Sequence, residues 1–172
     1  MDRRWILLVL AISGYGASRE ISSGGEEEGN GPDVPPPAII GGTDAPEDAW
    51  PWQVLLLYRN KFICGGTLLN DNTILTAAHC TYRGKAKKFR VVIGEYNRKK
   101  NERKTRGEKK MAVKKIIEHP DYDGNVLHDM SIIKLKGRVK FNTYIQPIPG
   151  LADTDMDLIS STCFVTGWGA YK

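Results

Sequence analysis

The sequence has 172 residues, about the length of one ordinary domain. Hydrophobic residues make up 41% of it and charged residues 26%, which is typical of a soluble globular protein and excludes a chain that is disordered throughout. The formal net charge is +5, and residues 39–172 carry +8, because residues 1–38 contain three basic and six acidic side chains. There are three cysteines, Cys64, Cys80 and Cys163, so one thiol has no partner within the chain.

The N-terminus has the pattern of a secretory signal peptide. A charged segment at residues 1–4 precedes an apolar run at residues 5–12, and small residues follow at 13–18. We place the end of the signal near residue 18. The apolar run is too short to span a bilayer, so we expect no membrane anchor; a buried N-terminal core helix is the open alternative. The pattern predicts a secreted, extracellular protein, in a compartment where disulfides form.

Residues 19–38 are predicted to be a propeptide or linker. They contain a pair of glycines, three consecutive glutamates and three consecutive prolines, with few apolar residues. Such a composition keeps a segment extended and solvated. The character of the sequence changes at Ile39, and residues 39–172 are predicted to fold.

Beyond residue 39 the sequence alternates short apolar, β-prone segments with turn signals such as Asn70-Asp71-Asn72. Strands at this spacing, with no helical periodicity between them, predict an all-β barrel or sandwich. We predict strands at residues 52–58, 62–69, 73–76, 89–93, 112–117, 131–135 and 163–166.

His79 is the first candidate for chemistry, because it follows a predicted strand and two small residues, Ala77 and Ala78. A lone histidine in such a position is more often a satisfied core residue. Here Cys80 can anchor the turn by pairing with Cys64, which closes a loop of about 15 residues and contributes about 3 kcal/mol to stability. A covalent link beside the imidazole would fix its position, as a general base requires.

Asp129 is the second candidate. A carboxylate ahead of an apolar strand is often only a turn residue, but paired with His79 it would accept the ring N–H and stabilise the imidazolium. His119 and His128 are interpreted as surface residues. We do not expect a zinc site made of His79, Cys80, His119 and His128, since these residues lack the spacing of metal ligands.

Six short segments of residues 39–172 form a recognisable series. They are IIGG at 39–42, WPWQV at 50–54, CGGTL at 64–68, TAAHC at 76–80, DMSIIKL at 129–135 and CFVTGWG at 163–169. Together, and in this order, they resemble the chymotrypsin/trypsin-like serine protease family. This resemblance implies the first six-stranded Greek-key β-barrel of a trypsin-like two-barrel fold. It also implies that His79 is the general base and Asp129 its orienting partner, in an endopeptidase that cleaves proteins or peptides by acyl transfer to serine.

The sequence departs from the family's pattern in two places. The family's nucleophile lies in a Gly-Asp-Ser-Gly-Gly motif, which residues 1–172 do not contain. We therefore expect that the second barrel, with the serine, the oxyanion hole and the usual partner of Cys163, is missing, and that the chain as given is inactive. Zymogen activation in the family usually follows Arg or Lys, whereas the cleavage site here would lie between Ala38 and Ile39.

Residues 83–115 form a basic stretch with 15 Lys or Arg and three Glu, a net charge of +12. A solvated basic face is the simplest interpretation, and contact with a polyanion is the alternative. Interleaved aromatic residues are few, so we expect no nucleic-acid binding. Glu95 and Glu108 resemble two ligands of the family's calcium loop, but the neighbouring basic residues would repel a cation. We therefore predict no bound metal and no other cofactor.

The sequence as a whole predicts a secreted trypsin-like serine endopeptidase, represented by a chain without the nucleophile. The alternative is a non-catalytic basic module that binds polyanions or acidic proteins. Retention of both His79 and Asp129 favours the protease, because a binding module has no chemical need of them.

Overall fold

A computed structural model of the protein describes residues 43–151 and 164–169. Six antiparallel strands close into a barrel in the order β1-β2-β3-β6-β5-β4. The all-β class and the six-stranded barrel predicted from the sequence are therefore confirmed. The strands are β1 (Gln53–Tyr58), β2 (Lys61–Asn70), β3 (Thr73–Thr76), β4 (Phe89–Ile93), β5 (Lys109–Glu118) and β6 (Ser131–Leu135), and a short 3₁₀ turn at Ala86–Lys88 precedes β4.

One predicted strand is not formed. Residues 164–166 are in an irregular conformation, and Cys163 lies outside the described residues. This segment contacts the barrel through side chains instead, because the Thr166 hydroxyl donates to the Gln53 side chain at 2.8 Å. The Trp168 indole likewise donates to the carbonyl of Tyr96 at 2.9 Å.

Strand β1 is buried from its second residue to its end, because both of its faces are covered. Side chains alternate between the two faces of a strand. One face of β1 points into the barrel, where it joins the main core. On the other face, Leu55 and Leu57 pack with Val92 against Phe62 and Trp168. The side chains of the main core that are less than 2% exposed include Val54, Leu56, Leu68, Ile74, Phe89, Val91, Ile93 and Ile133.

The pairing of β3 with β6 decides where the candidate site forms. The two strands are antiparallel, and Thr76 at the end of β3 is opposite Ser131 at the start of β6. The segment that leaves β3 and the segment that enters β6 therefore lie side by side at one rim of the barrel. His79 follows Thr76 by three residues, and Asp129 precedes Ser131 by two.

Several sequence predictions fall outside the described residues. They are the signal peptide at 1–18, the propeptide at 19–38, the cleavage site between Ala38 and Ile39, and the thiol of Cys163. In the part of the chain that is described, no helix has the length and apolarity needed to cross a bilayer.

Candidate active site

A tight turn after β3 carries His79. The backbone N–H groups of Thr81 and Tyr82 both donate to the carbonyl of Ala78, at 2.9 and 2.8 Å. Ala77 and Ala78 are buried, so side chains larger than a methyl group would meet the core at both positions. The small residues therefore allow the turn to sit against the barrel while the His79 side chain remains 23% exposed.

Asp129 holds His79 through two contacts, one to its backbone and one to its ring. Oδ1 of Asp129 accepts the backbone N–H of His79 at 2.7 Å. Oδ2 lies 2.6 Å from Nδ1 of the imidazole. A carboxylate can only accept, so this arrangement selects the tautomer with the proton on Nδ1 and leaves the lone pair on Nε2. An imidazole held in this way can take a proton at Nε2, and the carboxylate stabilises the cation that results.

A disulfide fixes the turn from the opposite side. Cys64 on β2 is bonded to Cys80, with their Cα atoms 6.2 Å apart, and both residues are buried. The sulfur of Cys80 lies 3.4 Å from Nε2 of His79. Cys64, His79 and Cys80 form a group compact enough for a metal ion. The two sulfurs are bonded to each other, however, so neither can act as the thiolate that a metal needs.

A buried group of polar side chains lies under the turn and was not identified from the sequence. The Thr81 hydroxyl is 3.0 Å from Oγ of Ser131 and 3.0 Å from a carboxylate oxygen of Glu118. These contacts join the turn to β5 and β6. No local pattern could have indicated them, because Thr81 is separated from Ser131 by 50 residues. They add to the forces that hold the His79 turn against the start of β6.

The loop between β4 and β5 contains the two residues that resemble calcium ligands. Burial, followed by the charges of Glu108 and Glu102, raises the pKa of Glu95 to about 7. The other two carboxylates are engaged by the loop itself, since Glu102 accepts the backbone N–H of Tyr96 at 2.6 Å and Glu108 accepts that of Glu102 at 2.8 Å. The guanidinium of Arg106 is buried in the same loop, 3.9 Å from the carboxylate of Glu102. A cation is already present here in the form of a side chain, so the donor set does not fit calcium.

The other two histidines lie together on the loop between β5 and β6. The rings of His119 and His128 are stacked, with centroids 4.8 Å apart and planes 12° apart. His119 is partly buried and His128 is exposed, in keeping with their interpretation as surface residues. With Asp121 they form a second compact group, separate from the group around His79.

Most of the basic stretch faces solvent. Twelve of its 15 Lys and Arg side chains are exposed, and only that of Arg106 is buried. They lie in the segment at 83–87 that leads to β4, in the loop between β4 and β5, and along β5.

A hydrogen-bonded histidine–aspartate pair recurs on unrelated folds in hydrolases with a Ser-His-Asp triad, and its place at the rim of an antiparallel barrel is the chymotrypsin-like arrangement. Residues 39–172 match the family model described as Trypsin, and the chain belongs to that family of trypsin-like serine proteases. It is 36% identical over 143 residues to chymotrypsin-like elastase family member 1 of Canis lupus familiaris, a match that covers 78% of this chain and 53% of the relative. It is 34% identical to the Homo sapiens protein of that name, with the same coverage. It is 33% identical over 159 residues to serine protease 41 of Homo sapiens, covering 91% of this chain and 50% of that protein. The chain thus spans about half the length of these curated relatives.

Proposed function

We propose that this chain contributes the general base His79 and its partner Asp129 to the active site of a secreted serine endopeptidase. The observation that carries the proposal is the double contact of Asp129 with the backbone and the ring of His79, at 2.7 and 2.6 Å. A carboxylate that only caps a solvated loop does not require two short contacts to one histidine. A catalytic triad requires them, because the carboxylate must hold the imidazole in one tautomer and one orientation.

In the proposed reaction, Nε2 of His79 removes the proton from a serine hydroxyl as its oxygen attacks the carbonyl carbon of a peptide bond. The new C–O bond gives a tetrahedral intermediate. When the C–N bond breaks, His79 returns the proton to the departing amine, and an acyl-enzyme remains. Water then attacks the ester in the same way, with His79 accepting a proton from water and giving it back to the serine. Asp129 stays ionised throughout and stabilises the imidazolium.

The rest of the chain fits a secreted precursor. In this proposal residues 1–18 direct export, residues 19–38 are a propeptide, and residues 39–172 belong to the peptidase domain. Cleavage between Ala38 and Ile39 would release a new N-terminus at Ile39. N-terminal sequencing of the protein secreted by transfected cells tests these boundaries. A single species that begins near residue 19 or at Ile39 supports them, and a protein retained inside the cell contradicts export.

Sequencing the transcript beyond the codon for Lys172, and expressing the protein that it encodes, tests the catalytic proposal. We expect a reading frame that continues into a Gly-Asp-Ser-Gly-Gly motif and a product that a fluorophosphonate probe labels at that serine. Labelling should be lost in His79→Ala. The 172-residue chain by itself should remain unlabelled, because it contains no such motif. Labelling of the longer protein that is unchanged in His79→Ala would contradict the role of His79.

The exposure of the basic stretch favours a second candidate function, contact with polyanions such as sulfated glycans. Heparin affinity chromatography with two matched variants tests it. Lys99→Ala/Lys100→Ala and Lys136→Ala/Lys140→Ala each remove two exposed charges, but only the first pair lies within residues 83–115. Earlier elution of the first variant alone supports a localised site. Equal shifts for both variants would show that only net charge matters.

A further inference from the structure

The loop between β5 and β6 brings two imidazoles and a carboxylate together on the outside of the barrel. The ligand atoms of His119, Asp121 and His128 all lie within 4.8 Å of one another. Nδ1 of His119 is 3.9 Å from Oδ2 of Asp121. We propose that these three residues form a binding site for Zn²⁺.

The backbone of the loop, not a metal, brings the two histidines together. The backbone N–H of His119 donates to the carbonyl of Met130 at 2.9 Å, and the N–H of Met130 donates to the carbonyl of His128 at 2.7 Å. His128 itself has a left-handed backbone, with φ of 58°. These contacts close the two arms of the loop, so the two imidazoles are close together before any ion binds. Each nitrogen lone pair lies in the plane of its ring, so the stacked rings must turn about their side-chain bonds to point at one ion. A metal would therefore not have to gather ligands from separate, mobile segments.

The ligand set suits zinc and disfavours calcium and magnesium. Zinc binds imidazole nitrogen and carboxylate oxygen at about 2.0–2.2 Å, and sites with three protein ligands leave a fourth position for water. Tetrahedral bonds of that length place neighbouring ligand atoms about 3.3 Å apart, so the side chains need to close by roughly 1.5 Å or less. Asp121 has this freedom, since its side chain is 71% exposed. Calcium and magnesium prefer sets made only of oxygen, and a group with two imidazoles does not suit them.

Binding would involve one exchange of partners at His119. Its Nδ1 accepts the backbone N–H of Asp121 at 3.2 Å. This bond is long and lies at an exposed position, so solvent can replace it when a metal takes the nitrogen. The site is separate from the His79 group, but His128 directly precedes Asp129 in the chain. An ion held by His128 would restrain the backbone next to the carboxylate that contacts His79. The zinc site itself does not depend on the proposed proteolytic function.

Calorimetric titration of the 172-residue chain with ZnCl₂ tests the proposal. The protein is prepared without a histidine tag and with Cys163→Ser, so that no free thiol competes. Asparagine is the suitable replacement at both histidines. At position 128 it tolerates the left-handed backbone, and at position 119 its Oδ1 can still accept the N–H two residues later. His79→Asn is the matched control, because the sequence contains only three histidines.

We expect one Zn²⁺ per chain, no binding of Ca²⁺, and an affinity at least about tenfold weaker in His119→Asn, His128→Asn and Asp121→Asn. His79→Asn should bind as the parent does. Three results would each overturn the proposal. They are zinc binding that is unchanged in both His119→Asn and His128→Asn, zinc binding that is lost in His79→Asn, and no zinc binding by the parent chain. A second measurement avoids substitution altogether: zinc should shift the NMR signals of two imidazoles in the parent chain, and a titration that shifts fewer than two would also overturn it.

Discussion

Removal of the Cys64–Cys80 disulfide should destabilise the barrel strongly. The bond links residues 16 positions apart, and closing a loop of that size restricts the unfolded chain by about 3 kcal/mol. Both cysteines are buried, at 4% and 2% exposure, so alanine fits their positions and avoids burying a new polar group. For a folded region of this length, the loss corresponds to a fall in melting temperature of roughly 10 °C.

Thermal unfolding of Cys64→Ala/Cys80→Ala, followed by circular dichroism, measures this effect. Cys163→Ser is the matched control, because the other two cysteines are bonded to each other and its melting temperature should remain within about 2 °C of the parent. A fall of less than about 3 °C in the double variant would show that the crosslink adds little. An equal fall in Cys163→Ser would show that the pairing is wrong.

Three further predictions concern the barrel and its loops. Gly66→Ala should lower the free energy of unfolding in urea by about 1–3 kcal/mol, because its Cβ would lie 2.9 Å from the carbonyl oxygen of Leu75. The control Gly150→Ala has open space around it and should have no effect, so equal effects of the two variants would contradict this prediction. Thr81→Val should cost about 1–3 kcal/mol, since it removes the hydroxyl from a buried polar group, and Thr81→Ser should cost less; the reverse order would refute that role. Glu95 has its pKa raised from 4.5 to about 7, so the folded state binds this proton more tightly than the unfolded state. The free energy that Glu95 contributes to stability is then lost as the pH rises through this range, and Glu95→Gln should gain stability relative to the parent between pH 5 and about 8; a constant difference would contradict the shift.

The sequence was most informative where structure is set locally. Strands β3, β4 and β6 begin and end where they were predicted, because each is a short apolar segment between turn residues. Strand β5 was predicted too short. Its first residues, Lys109 and Lys110, are polar and exposed, and they still pair with β4. Because these two lysines are solvated, the start of β5 does not belong to the apolar segment from which the strand was predicted.

Contacts between residues that are distant in the sequence were harder to predict than the strands. The approach of His79 to Asp129 was expected only through resemblance to a family, since 50 residues separate them and the register of β3 on β6 brings them together. The contacts of Thr81 with Glu118 and Ser131 depend on the same strand register, and no sequence motif indicates them. The stacking of His119 on His128 depends on how one loop closes, which neither spacing nor composition indicates.

The steady-state kinetics of Asp129→Asn in the complete protein test the central claim most directly. Asp123→Asn is the matched control, since it makes the same change on the same loop at a fully exposed carboxylate. We expect kcat/KM on a peptide substrate to fall by about four orders of magnitude in Asp129→Asn, because the amide favours the wrong imidazole tautomer, and to change by less than about twofold in the control. Equal activities of the two variants would contradict the claim that Asp129 orients a catalytic His79.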